Sequence, residues 1–161
     1  MKRYIRECCT GVTDEILDII WQTVGGNVQH FLRYSLSNEL IGKETTVDNH
    51  KNASEEILKL HYANVIRCNF EMTRSAEECS ALSKIYRELA LSRNGTLNYR
   101  QVEKDLGKTV LDGLLHIGAI YVLAGEYISR DIEKEDDEIL IVANNPLDLA
   151  TMKKYMVNPQ P

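Results

Sequence analysis

Cysteine is scarce in this 161-residue chain, and its placement excludes the common zinc frameworks. Adjacent Cys8 and Cys9 cannot form a Cys-x-x-Cys knuckle, and the interval from Cys68 to Cys79 matches no metal-ligand spacing. Cys79 reads as a small core residue on a helix. By count, Cys68 and Cys79 leave room for a disulfide, but a cytoplasmic chain keeps such thiols reduced. Long apolar runs are also missing. No stretch approaches the roughly 18 apolar residues of a membrane span, so no membrane partner is expected. The opening Met1–Arg6 lacks the apolar core of a secretion signal, which makes a cytoplasmic location the expectation. Positive charge is in short supply: 19 Lys and Arg against 24 Asp and Glu leave a net charge of −5. That balance counts against a general nucleic-acid coat while leaving room for a local basic patch.

Catalytic motifs are missing too. His30, His50, His61 and His116 are scattered, none forms His-Glu-x-x-His, and no Gly-x-Ser-x-Gly elbow exposes a serine. His116 falls beside an apolar helix face, where a partly buried, hydrogen-bonded histidine is more common than a base. The acids Asp131, Glu133, Glu135, Asp136, Asp137 and Glu138 read as a solvated loop tip; they lack the ligand spacing and turn glycine of a calcium loop. Neither catalytic residue, metal site nor cofactor is expected, and the chain reads as non-catalytic by itself.

What the sequence does hold is a well-punctuated series of helices. With 43% apolar or aromatic residues it can bury a core. There is no internal repeat and no low-complexity tract. Thr13 is a good N-cap for a helix to about Val24, largely apolar through Ile16, Leu17, Ile19, Ile20 and Trp21. Gly25-Gly26-Asn27 breaks it and starts another, with Val28, Phe31, Leu32 and Leu36 at helical spacing and Tyr34 and Leu40 beside them. The polar stretch 42–52 reads as a loop. Asn52 and Glu55 then cap a helix whose core face is Leu58, Tyr62, Val65 and Ile66. Residues 69–74 read as a linker, which divides the chain into a helical subdomain, 1–74, and a second domain, 75–161.

The second domain follows the order of a winged helix-turn-helix. Ser75 and Glu78 form a capping box ahead of a helix carrying Cys79, Leu82, Tyr86 and Leu89, which ends near Asn94-Gly95. Asn98 and Gln101 cap a short second helix with Val102 and Leu106 inward, closed by Gly107. Thr109 and Asp112 open a third, with Val110, Leu111, Leu114 and Leu115 on its apolar face and Gly118 at its end. So tight a junction marks a helix-turn-helix. The runs 119–123 and 139–143, rich in β-branched residues, read as two strands flanking a charged wing from Arg130 to Glu138, with Tyr127-Ile128-Ser129 extending the ladder. Asn145, Pro146 and Asp148 open a last helix to about Met156, docked by Leu147, Ala150 and Tyr155. Residues 157–161 are expected to fray. The fold class is mainly α: a helical N-terminal subdomain, then a winged helix-turn-helix with a small β wing.

The segment from Ile16 to Leu32, centred on Gly25-Gly26-Asn27, resembles the lid of archaeal P-loop ATPases of the AAA/STAND type, in which a winged helix follows the lid. The resemblance spans about Thr13 to Tyr155. It implies a C-terminal lid and winged-helix region without its P-loop core, because no Gly-x-x-x-x-Gly-Lys-[Ser/Thr] loop and no magnesium-holding strand are present. Where such lids commonly carry a Pro and a phosphate-approaching Arg, this chain has Val28, Gln29 and His30, and neither Gln29 nor a neutral His30 supplies a fixed guanidinium.

The resemblance and the helix order together lead to a DNA-binding or regulatory module. The residues placed to meet duplex DNA are Asn98, Tyr99, Arg100, Gln101 and Lys104 on the second helix, Lys108 and Thr109 on the third, and Arg130 and Lys134 on the wing. Asp112 and the acidic wing oppose phosphate, and Arg100 with Lys104 reads equally as a solvated i, i+4 face. The alternative is a protein-interaction module that docks on a protein partner or an ATPase core through an apolar surface.

Overall fold

The computed structural model describes residues 2–37, 45–123 and 139–157. Helices α1 (Lys2–Cys8), α2 (Asp14–Val24), α3 (Val28–Ser37) and α4 (Val47–His61) come first. Helix α4 runs without a break through a π-helical segment, Tyr62–Ile66, into α5 (Arg67–Glu71). Then come α6 (Ala76–Leu91), β1 (Thr96–Asn98), α7 (Tyr99–Leu106), α8 (Lys108–His116), β2 (Tyr121–Leu123), β3 (Leu140–Val142) and α9 (Pro146–Met152). A second π segment, Lys153–Val157, ends the described chain. The molecule is mainly helical, with one small antiparallel sheet of order β1-β3-β2.

That sheet closes the winged region. Strand β3 is central, pairing Leu97 with Ile141 on one side and Val122 with Ile141 on the other. Ile141 is fully buried, and so are Leu111 and Leu114 of α8 and Leu82, Ile85, Tyr86 and Leu89 of α6. Burying each such side chain stabilises by about 1.5–3 kcal/mol before entropy is subtracted. Strand β1 lies outside the expected elements: three residues after Gly95 are too few to show an alternating pattern, and β3 selects them by pairing. The tip expected as a wing, with Arg130 and Lys134, lies outside the described residues.

A second cluster gathers Ile5 and Cys9 with Ile16, Leu17, Ile20 and Val24 of α2, Phe31 and Tyr34 of α3, and Ile57 and Leu58 of α4. Helix α9 reaches both: its Leu147 packs in this cluster, and its Met152 in that of the winged region. The half-buried side chain of His61, at the end of α4, hydrogen-bonds the buried carboxylate of Asp148, in the first turn of α9, and so ties the two helices. The Gly-Gly turn is held by the same helix. Gly25 sits at φ +61°, and an added Cβ would lie 2.5 Å from Cγ of Pro146. Only glycine meets both conditions.

Most expected caps are present in atomic detail. Thr13, Ser75, Asn98 and Asn145 each accept a first-turn amide through a side-chain oxygen, and Pro146 occupies the first position of α9. Asn27 accepts from the amides of Gln29 and His30. Glu78 departs slightly from the box, since its carboxylate takes the amide of Arg74, one residue before the cap.

Other expectations need correction. Helix α4 starts at Val47, not after Asn52, because Thr46 and Asn49 form a reciprocal capping box; residues 47–52 are helical, and Asn52 and Glu55 lie inside the helix. The linker shortens to 72–74, since α5 continues to Glu71. Among the described side chains of α3, Phe31, Tyr34 and Ser35 are buried, whereas Val28 is 45% exposed, so the large aromatics set the phase of the helix; the expected core side chains of Leu36 and Leu40 lie outside the described ones. Residues 2–8, for which no element is expected from the sequence, form α1 with Ile5 fully buried. Thr109 is not a cap: α8 begins at Lys108, with Gly107 before it. His116 is exposed at the end of α8.

Candidate nucleic-acid interface

Helices α7 and α8 meet at a single residue. Gly107 adopts φ +85°, closes α7 through its amide on the Glu103 carbonyl at 2.8 Å, and stands at the N-cap position of α8. It offers no side-chain oxygen, and a Cβ added there would meet nothing within 4 Å. The first amides of α8 therefore have no side-chain cap. Such an end carries partial positive charge and free donors, the local chemistry that phosphate oxygens satisfy.

The expected contact residues divide three ways. Arg100, Gln101, Lys104, Lys108 and Thr109 are all exposed around this junction. Asn98 is exposed, but its side-chain oxygen accepts from the Gln101 amide at 3.1 Å and so caps α7. Tyr99 is half-buried against the core of the winged region. Its amide bonds the Ile139 carbonyl at 2.9 Å, which anchors α7 to the start of β3. The structure thus gives Asn98 and Tyr99 supporting roles and leaves five side chains on the open face. Arg130 and Lys134 lie outside the described residues.

Electrostatics on this face are balanced. Lys108 Nζ stands 3.2 Å from a carboxylate oxygen of Asp112, one turn on. The hydrogen bond to Asp112, followed by that carboxylate's charge, pushes the Lys108 ammonium up from its ordinary value, so the group stays cationic. Gln101 donates its amide to Asp105 at 2.9 Å, and Lys84 of α6 stands 3.9 Å from the same Asp105. Arg100 and Lys104 make no ion pair among the described residues. Three cations (Arg100, Lys104, Lys108) share the two helices with three acids (Glu103, Asp105, Asp112), so the free positive charge rests on Arg100 and Lys104. The uncapped state of α8 was not legible in the sequence because Thr109 looked like the cap. The signal was the glycine before Lys108, which supplies no capping oxygen.

Among the described residues, no group of three or more His, Cys, Asp or Glu side chains is arranged to hold a metal ion. No described helix is long and apolar enough to cross a membrane. The order α6, β1, α7, α8, β2, β3 is that of a winged helix-turn-helix. Comparison with known proteins gives no matching family model, no similar curated protein and no similar solved structure.

Proposed function

We propose that the chain is a non-catalytic, winged-helix module that binds duplex DNA through the α7–α8 junction. The observation that carries this reading is the uncapped N-terminus of α8, flanked by the exposed, unpaired cations Arg100 and Lys104. The uncapped amides of α8 and Lys108 would sit on phosphate and hold the protein in register, while Thr109, in the first turn of α8, would face base edges and Gln101, on α7, would lie nearer the backbone. Resemblance to the lid and winged-helix end of archaeal ATPases fits a regulatory role for such a module beside an ATPase core.

The test is fluorescence anisotropy of labelled duplex DNA over a salt series, with the triple variant Arg100→Glu, Lys104→Glu, Lys108→Glu alongside. Three phosphate contacts predict a slope of log affinity on log salt of about −3. Binding at low salt with such a slope, lost in the triple variant, supports the reading. Absence of binding at low salt, or binding unchanged in the variant, refutes it. A second reading, docking on a protein partner, is favoured by one observation: the pairing of Lys108 with Asp112 and of Lys84 with Asp105 leaves the face close to neutral. Charge balance of this kind suits a protein surface better than a polyanion.

A further inference from the structure

We propose that a cavity far from the nucleic-acid reading, between α3, the π segment and the start of α9, binds a short aliphatic carboxylate. Its walls include His30 and Arg33 of α3, Ile57 of α4, Asn64 and Val65 of the π segment, and Leu147 of α9. The cavity measures about 50 Å³, room for a few water-sized groups, so only a tail of a few carbons fits inside.

Its floor and mouth differ in chemistry. Ile57 and Leu147 are buried, and with half-buried Val65 they give an apolar floor. Leu60 stands at the mouth beside three exposed polar side chains, Arg33, Glu56 and Asn64. The Arg33 guanidinium makes no ion pair among the described residues, which leaves its fork of donors for a planar carboxylate. Asn64 adds an amide. Behind them, His61 also lines the cavity, and its Nε2 contacts the Asp148 carboxylate. His30 completes the wall, and its Nδ1 is buried without a hydrogen-bond partner. Burial, and after it the neighbouring His61 and Arg33, holds the His30 ring below its usual value and so neutral, though Asp148 pulls the other way. A neutral imidazole with an orphaned nitrogen is an unmet hydrogen bond, and a half-turn of the ring brings that nitrogen to the side where Cδ2 now lies.

Backbone geometry points to the same place. The cavity wall is where the helix widens from α to π between Tyr62 and Ile66, and Asn64 and Val65 belong to that segment. Single-turn π segments concentrate at functional sites because they re-aim side chains within a rigid rod. One unpaired guanidinium opposite Glu56 suits a monoanion better than a phosphate dianion, whose second charge would have no partner.

The carboxylate can belong to a simple acid or to a free amino acid, and Glu56 separates the two, because it repels the first and pairs with the ammonium of the second. The experiment is a nuclear magnetic resonance titration of the isotope-labelled full chain with butyrate and with 2-aminobutyrate. Sodium chloride at matched ionic strength serves as the control. Saturable shifts centred on His30, Asn64 and Val65 are expected from at least one ligand, with the affinity lowered about tenfold in Arg33→Gln, the loss of one charged hydrogen-bonding group. Arg33 is exposed, so this variant keeps the native spectrum. Butyrate binding that tightens in Glu56→Gln supports a site for simple acids; 2-aminobutyrate binding that weakens in Glu56→Gln supports one for amino acids. Shifts that match chloride, fail to saturate, or keep the parent affinity in Arg33→Gln overturn the proposal.

Discussion

Tyr86 shows how much one hydroxyl can hold in this fold. Its ring is fully buried on α6, it donates to the Ala119 carbonyl at 2.8 Å, and it accepts from the Asn69 side chain at 2.7 Å. Three segments distant in sequence meet at one oxygen, and burial pushes the phenol well above its ordinary value, so it remains a donor. Tyr86→Phe keeps the packing but leaves the Ala119 carbonyl unmet in a buried site and removes the part-buried bond from Asn69. A loss of about 1–3 kcal/mol of stability in urea unfolding is expected; a variant as stable as the parent would show that the oxygen carries no such role. His50 is a second buried polar centre. Its Nδ1 meets the Tyr34 hydroxyl and its Nε2 the Thr45 hydroxyl, both at 2.9 Å. Burial lowers its affinity for a proton below the ordinary 6.5. The unfolded chain therefore protonates first as pH falls, so stability is complete above about pH 6.5 and declines below it until the folded-state value is reached. Urea midpoints measured across that window should fall with pH, and the fall should shrink in His50→Gln. A midpoint that rises on acidification would contradict the assignment.

Turns and caps fix where the helices begin and end. Gly25 ends α2 with its amide on the Trp21 carbonyl at 2.9 Å, at φ +61°, with the ring of Pro146 against the place a Cβ would take. Gly25→Ala should therefore cost about 1–3 kcal/mol, from the left-handed backbone and the displaced α9 together. Gly107→Ala, which has the φ penalty but open space around it, should cost less. Equal losses in thermal unfolding would remove Pro146 from the explanation.

The caps at Thr13, Ser75, Asn98 and Asn145 were legible in the sequence, because each places a short side-chain oxygen three residues before an amide that needs it; at Asn27 only the helix break was read. Thr46 was missed because its partner in the box is Asn49, a weaker signal than the usual Glu or Gln. Strand β1 escaped because pairing with β3, not its own three residues, defines it. On the candidate interface, the exposure of Arg100, Lys104, Lys108 and Thr109 could be read from helical spacing. The use of Asn98 as a cap and of Tyr99 as a packing group could not, since both depend on where β3 lies. The i, i+4 spacing of Lys108 and Asp112 was visible, but it was read as repulsion of phosphate rather than as pairing between the two. His30, Arg33, His61 and Asp148 come together only through packing of α3, α4 and α9, and no local pattern links them.

Across the whole molecule, α9 touches both buried clusters, through Leu147 on one side and Met152 on the other, as does the unbroken helix from α4 into the π segment, through Ile57 and Ile66. Its tie to α4 by way of His61 and Asp148, and its seat against Gly25, lock the helical layer beside the winged region. A net charge of −5 surrounds one junction where helix amides and unpaired cations coincide, so DNA contact should be confined to that junction. The most direct measurement is a map of amide shifts on adding unlabelled duplex DNA to the isotope-labelled chain at low salt. DNA binding at the α7–α8 junction predicts shifts concentrated at Arg100, Gln101 and Gly107 through Thr109, reversed by added salt. A spectrum that does not change, or shifts gathered on α2, α4 and α9 instead, would contradict it.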